Sequence, residues 1–471
     1  MSETSSKKPL VAVIKGKSPE ENYLEGIEKL GGISQYIEEG DNVFLKITLR
    51  VPMGYPMNSN FDLVKEVIIS CKKAGANKIY VGSFSSKEIA LKIFNDLLGL
   101  ESYFKALGAE FVYLDNSDYY IQKSNNQKLG DLKANSLKDV NIGEKKIQVP
   151  EVITNSNKII VINQVNVNPL FMCDLSLINY YSVLPAKFRD INYGENVLNE
   201  EIVKSDLFRQ DLISNILNTY AIKKPILTIN DVFYILEEAG PFIYRDSNLK
   251  KTNVLIMGTD LISVDAITLR FLGFDVFKND LVSKALERSL GPEHISDIKL
   301  LGEDLGKISI DINQCFSHLE DIKIPNIFVS SGNMCSGCFL RAYHLLNFMN
   351  SRMIKDVKNL PNQSLLVGLN PPEALFKDHV ILFGDCAIKS TKNYKFRTKT
   401  KKTLLRKKEM QVKNKNILTL SGCPPNINDC LKLIFEYYDK SDLPNLNYLI
   451  RSLRTSNFFK YSKKLKKWED L

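Results

Sequence analysis

Eight cysteines in 471 residues are too few for a disulfide scaffold. The opening MSETSSKKPL has no apolar stretch of the signal-peptide kind, and no later apolar run approaches bilayer-crossing length, so a cytoplasmic protein is expected. A phosphate loop is missing as well. Gly16-Lys17-Ser18 lies between a strand pattern and a helix pattern, but Val11 stands where the first glycine of that motif is needed. No G-x-G-x-x-G joins a strand to a helix, which argues against nucleotide binding by a standard fingerprint. There is no convincing internal repeat. The lack of any recognisable nucleic-acid module counts against RNA binding.

With 44% hydrophobic and 25% charged residues, the composition is that of a soluble globular protein. A chain of 471 residues exceeds one ordinary core, so two or three domains are expected. Leu10–Lys15 is a short apolar run, after which Ser18-Pro19-Glu20-Glu21 gives a cap, a first-turn proline and two acids. Tyr23, Leu24, Ile27 and Leu30 share one helical face, and Gly31 can stop that helix. Strand patterns follow at residues 42–51, 78–84 and 110–114, with helix patterns at 61–74 and 88–107 between them. Later apolar runs lie at 158–165, 225–229 and 253–257. Residues 120–150 are polar and weakly periodic, an insertion or an irregular hairpin. Strands alternating with helices predict an α/β fold, with mostly parallel sheets and helices on both faces.

The net charge of +9 is unevenly placed. Residues 389–415 carry twelve Lys or Arg against one acid, Glu409, and residues 451–471 carry seven against two. Such an excess can steer an acidic ferredoxin-like redox partner, a polyanion or an anionic membrane face, or it can be a solvated lysine-rich loop.

Three pieces carry a family resemblance. They are VAVIKGKSPEENYLEGIEKLGGISQYIEEGDNVFLKITL at the start, then LTINDVFYILEEAGPF, then VLIMGTDLISVDAITLRFLGFD. Together, over about residues 10–305, they are similar to the domain of unknown function 362 family. The resemblance implies an α/β domain over residues 10–320, after a flexible stretch at 1–9. Two departures stand out: Lys46-Ile47-Thr48 replaces the family's usual Lys-Pro-Asn, and Asn163–Pro169 replaces a Lys-x-Lys-Thr-His segment. Asp231, Asp260 and Asp265 match acidic positions of the family: one after a strand, one in a turn, one at a helix start. Carboxylates at strand ends can bind a ligand or a cation, but aspartate is also favoured in turns and at helix starts for purely local reasons.

The last third carries the sharpest signal. Cys335, Cys338, Cys386 and Cys423 lie in CSGC, GDC and GCPP, each following a run that reads as a buried strand. Four soft thiolates converging from neighbouring strand ends make a cage for a [4Fe-4S] cluster. Cys338 and Cys423 are positioned before helices, whose positive ends favour thiolate. This order of C-x-x-C, G-x-C and G-C-P-P resembles the proximal-cluster domain of the nickel-iron hydrogenase small subunit, over about residues 322–440. That resemblance implies a flavodoxin-like second domain, residues 321–440, with those four cysteines ligating one cluster. Residues 441–471 are then a basic tail.

Zinc is the rival. Cys315-x-x-His318 and Cys335-x-x-Cys338 have spacing that a structural Cys₃His site can use, leaving Cys386 and Cys423 unexplained. Cys71 and Cys430 sit on apolar helical faces as packing residues, and Cys173 is unassigned. His344 can reach the cluster from the helix after Cys338, or be an exposed helix residue. The expected function is an iron–sulfur redox protein, a possible oxidoreductase, passing single electrons between an acidic carrier and an unknown acceptor. The alternative is a non-redox binding or assembly factor stapled by zinc or a cluster.

Overall fold

Ser18 accepts a hydrogen bond from the Glu21 N–H and Pro19 occupies the first turn, so the first helix, Pro19–Lys29, starts where its capping chemistry dictates. Asn60 does the same for helix Phe61–Lys73, accepting from the N–H groups of Asp62 and Leu63. The structure is a computed structural model that describes residues 8–85, 91–114, 137–142, 145–193, 200–397 and 416–438. The chain divides into two compact units. The first comprises Met1–Asp190, Ile213–Phe242 and Asn248–Gln314; the second takes Ile191–Leu212, Ile243–Ser247 and Cys315–Leu471.

The first unit is built on strands β1 (Leu10–Lys15), β2 (Asn42–Ile47), β3 (Lys78–Gly82) and β4 (Glu110–Phe111). A hairpin, β5 (Leu137–Ile142) and β6 (Lys145–Pro150), lies in the polar stretch that the sequence marks as an insertion. Then come β7 (Lys158–Gln164), the short pair β8 (Val167–Asn168) and β9 (Met172–Cys173), and β10 (Leu227–Asp231). A second short pair, β11 (Tyr234–Glu237) and β12 (Asn248–Lys251), precedes β13 (Val254–Gly258) and β14 (Lys299–Gly302). Eight of these strands form one sheet in the order β14-β1-β13-β10-β7-β2-β3-β4. It is mostly parallel, as the alternating pattern predicts; β13 alone is reversed, antiparallel to both β1 and β10. In β7 the successive residues Ile159–Ile162, and in β13 Val254–Met257, are almost fully buried, so both faces of the sheet are covered. Each such side chain contributes about 1.5–3 kcal/mol of transfer free energy.

One helix differs from its sequence pattern. The run read as 88–107 is two helices, Leu91–Leu98 and Leu100–Ala106, separated by Gly99 at φ 66°.

The second unit holds a four-stranded, fully parallel sheet of β15 (Ile327–Ser331), β16 (Gln363–Val367), β17 (Val380–Phe383) and β18 (Ile417–Leu420). Its order follows the chain, β15-β16-β17-β18. A flavodoxin-like sheet reverses its strand order at a switch point. Among the described strands the order runs straight through, and the parallel sheet with its helices has the α/β character expected of the second domain. Leu366, Val380, Leu382, Ala374 and Phe396 form its core on one side. Helix Ser336–Arg352 buries Ala342, Tyr343, Leu345, Leu346 and Met349. No helix among the described residues is long and apolar enough to cross a membrane.

Candidate metal centre

All three cysteine-bearing turns leave the carboxyl edge of the second unit's parallel sheet. Beyond β15, Cys335 takes extended backbone as the N-cap of helix Ser336–Arg352, which places Cys338 in its first turn. Beyond β17, Cys386 lies in the short helix Gly384–Ser390, and beyond β18, Gly422-Cys423 leads to helix Ile427–Tyr437. A parallel sheet points every strand the same way, so residues distant in sequence meet at one edge.

The turns are tied to one another. The Asp385 N–H donates to the Gly422 carbonyl at 3.2 Å, and the Gly422 N–H donates back to Asp385 Oδ1 at 3.0 Å. Gly384 adopts φ 85°, and a Cβ placed there would lie 3.3 Å from the Cys338 sulfur. The GDC turn therefore touches both of the other loops.

All four thiols are at least nine-tenths buried, and their ionisation is mutual. A hydrogen bond with Cys338 draws Cys335 down to about 7, while Cys338 is raised by that shared proton, by burial, and by the nearby Cys335, Cys386 and Cys423. Burial raises Cys386, with Cys335 and Asp385 adding to it and Lys389 opposing. Cys423 is pushed up to about 12 by burial, then by Cys386, Cys335 and Asp385, again against Lys389. Three of the four sulfurs are thus held towards the neutral thiol, and a coordinating cation would invert that balance by holding its thiols deprotonated. Among the described residues no set of three or more His, Cys, Asp or Glu side chains is arranged to hold a metal ion.

The wall beside Cys335 and Cys338 comes from a stretch that the sequence left unassigned. Phe208 shares a buried cluster with both cysteines, and Ile191, Tyr193, Leu212 and Met334 pack against it. The Tyr193 N–H donates to the Cys423 carbonyl at 2.9 Å, and its hydroxyl donates to Asp211 at 2.7 Å. Asp206 accepts from the Ser336 N–H at 2.9 Å and from the Ser336 hydroxyl. The signal that could have found this wall is a short polar and aromatic helix start, Asp206-Leu207-Phe208, too ordinary to stand out.

The remaining sequence candidates have other partners. Cys315 is hydrogen-bonded to Tyr343. His344 is buried, not exposed, with Nδ1 at 3.0 Å from the Tyr244 hydroxyl. Cys71, Cys173 and Cys430 are buried, and burial raises each thiol.

In the first unit the three aspartates take three roles. Asp260 caps helix Leu261–Phe271, accepting from the Ser263 N–H at 2.7 Å. Asp265 lies inside that helix, not at its start, and its oxygens accept from Ser176 N, Leu177 N and Asn230 Nδ2. It thereby anchors the first turn of helix Ser176–Tyr181. Asp231 ends β10; its Oδ1 accepts from the Phe233 N–H and the Tyr55 hydroxyl, and its Oδ2 has no hydrogen-bond partner among the described residues. Burial pushes both Asp231 and Asp265 up to about 7.

The two departures from the family pattern are part of a buried polar core. Lys46 donates to Ile47 O, Ser83 Oγ and Asn179 Oδ1, and burial, with Arg189 and Arg50 nearby, holds its pKa well below the usual lysine value. Arg50 reaches one oxygen of Asp174 through both Nε and Nη2, at 3.0 and 2.7 Å. Thr48, just past β2, donates to Asn163 Oδ1 on β7, and Asn163 Nδ2 donates to Asn230 Oδ1 on β10.

Residues 43–270 match the family model described as domain of unknown function (DUF362). The DUF362 match runs from β2 into helix Leu261–Phe271 and ends before Cys335. It covers Asp231, Asp260 and Asp265, and also Asp206 and Phe208 of the second unit. No protein among curated sequences matches the chain. A crystal structure of a protein from Thermotoga maritima is 12% identical, with a TM-score of 0.26, covering 62% of this chain and 62% of that one. The chain thus spans less than two thirds of that protein, and so loose a likeness carries no argument here.

Proposed function

We propose that Cys335, Cys338, Cys386 and Cys423 hold one [4Fe-4S] cluster and that the chain is an iron–sulfur redox protein. What supports the reading is the meeting of four buried thiols from three turns at one sheet edge, each within reach of the others' charge. A single zinc ion draws its donors to about 2.3 Å from one point. A cluster takes one thiolate at each of four corners, and three separate turns can supply donors spaced in that way.

Bound there, the cluster would supply single-electron steps. The chain's own groups do the rest: Asp385 and Gly422 hold Cys386 and Cys423 in register, and Phe208, Ile191 and Leu212 keep water from Cys335 and Cys338. Lys389 offsets negative charge at Cys386 and Cys423. Lys392 and Lys395 are exposed just beyond it, at the described start of the basic stretch 389–415, a place for an acidic redox partner to dock. Residues 398–415 of that stretch, and the basic tail, lie outside the described residues.

Anaerobic purification with iron and sulfide quantitation, plus electron paramagnetic resonance of the reduced protein, tests this. About four irons and four sulfides per chain are expected, with Cys386→Ser losing them and Cys315→Ser keeping them. One zinc per chain, lost in Cys315→Ser and kept in Cys386→Ser, would overturn the proposal in favour of the structural-metal alternative.

A further inference from the structure

The two residues between Cys335 and Cys338 are matched to partners well before them in the chain. Ser336 offers both its N–H and its hydroxyl to the Asp206 carboxylate, so Asp206 satisfies an orphan donor at the start of the helix that carries Cys338. Asp206 does so from left-handed backbone, φ 47°, a conformation that costs a non-glycine residue about 1 kcal/mol or more and persists where surrounding contacts demand it. Gly337 meets the next partner. A Cβ at Gly337 would lie 2.7 Å from the Phe208 ring, closer than any real contact, so the ring is seated on bare backbone. Phe208, Cys335 and Cys338 together form one buried cluster.

We infer that Asp206 and Phe208 are positioning residues of the cysteine site: Asp206 fixes the entry of the CSGC turn, and Phe208 seals Cys335 and Cys338 from water. The inference rests on the cluster reading for its purpose, but its geometry concerns the protein alone. Asp206 sets where the first helical turn begins and therefore where Cys338 sits relative to Cys335. Phe208 replaces water beside two thiolates with an apolar face, the kind of neighbour that sets a cluster's potential and its exposure to oxygen.

The full-length chain tests this in two arms. In the first, metal-free protein is treated with iodoacetamide and alkylation of Cys335 and Cys338 is followed by peptide mass. Asp206→Ala and Phe208→Ala are expected to react roughly tenfold faster than the parent, the scale set by losing a charge-assisted bond or an apolar cover. Asp206→Asn, which keeps an acceptor and tolerates left-handed backbone, is expected within about twofold of the parent. Gly337→Ala is expected to speed alkylation alone but to add nothing in the Phe208→Ala background. In the second arm, anaerobically purified protein is exposed to an iron chelator. Faster iron release and shifted resonance values in Asp206→Ala, restored in Asp206→Asn, support the positioning role. Alkylation unchanged in Asp206→Ala and Phe208→Ala, or Gly337→Ala effects that simply add to those of Phe208→Ala, overturn the inference. If the parent contains no iron or sulfide, the cluster reading fails by itself and the alkylation arm still decides this one.

Discussion

Asp231 and Asp265 are equally buried, yet their surroundings set opposite expectations for the same substitution. Burial lifts Asp231 from 3.8 to about 7, so the folded chain holds its proton more tightly than the unfolded chain does. Relative to that group, stability is greatest below about pH 4 and falls as pH climbs towards 7. Asp231→Asn keeps the acceptor for Phe233 and Tyr55 and puts an uncharged amide where Oδ2 has no hydrogen-bond partner among the described residues. Its stability advantage is expected to grow by about 1.4 kcal/mol per pH unit across that window. Urea midpoints at pH 5 and pH 8 with equal differences would refute this. Asp265→Asn instead turns a donor towards the Leu177 or Ser176 N–H, so it is expected to destabilise the first unit by about 1–3 kcal/mol in the same measurement. Removing one partner of the buried pair by Asp174→Ala is expected to cost about 3–5 kcal/mol, because Arg50 is then left charged and buried. The expectation that four cysteines converge came from three short motifs that repeat one context, a strand end followed by a cysteine. The roles of the aspartates were less so, since a cap, an anchor and an orphan acid look alike in one dimension.

At the level of elements, the strands and helices were largely readable from apolar periodicity and capping residues, and two features were not. The reversed direction of β13 leaves no trace in its composition, because a buried strand is apolar whichever way it runs. The break at Gly99 was hidden inside an unbroken helical pattern of hydrophobic positions. A Cβ there meets nothing within 4 Å, so the whole cost of Gly99→Ala is backbone strain. Thermal unfolding is expected to report a loss of about 1 kcal/mol, with Gly99→Asn losing less. An unchanged melting temperature would show that the two helices can fuse.

Across the whole molecule, the sequence suggested two consecutive bodies, whereas residues 191–212 and 243–247 are grouped with the later one. Linear reading cannot foresee such a detour, since nothing in the local composition of those stretches marks a change of unit. The extent of the DUF362 match is likewise not a folding unit. It omits β1, which pairs with β13, so a fragment of residues 43–270 would leave Val254–Gly258 with an open apolar edge. Such a fragment is expected to aggregate on size-exclusion chromatography while the full chain does not. The seat of Phe208 on Gly337 has a reach beyond any one molecule. Because a side chain at 337 collides with the ring at 208, evolution can enlarge one position only by shrinking the other. Related chains are therefore expected to show these two distant sites drifting in concert.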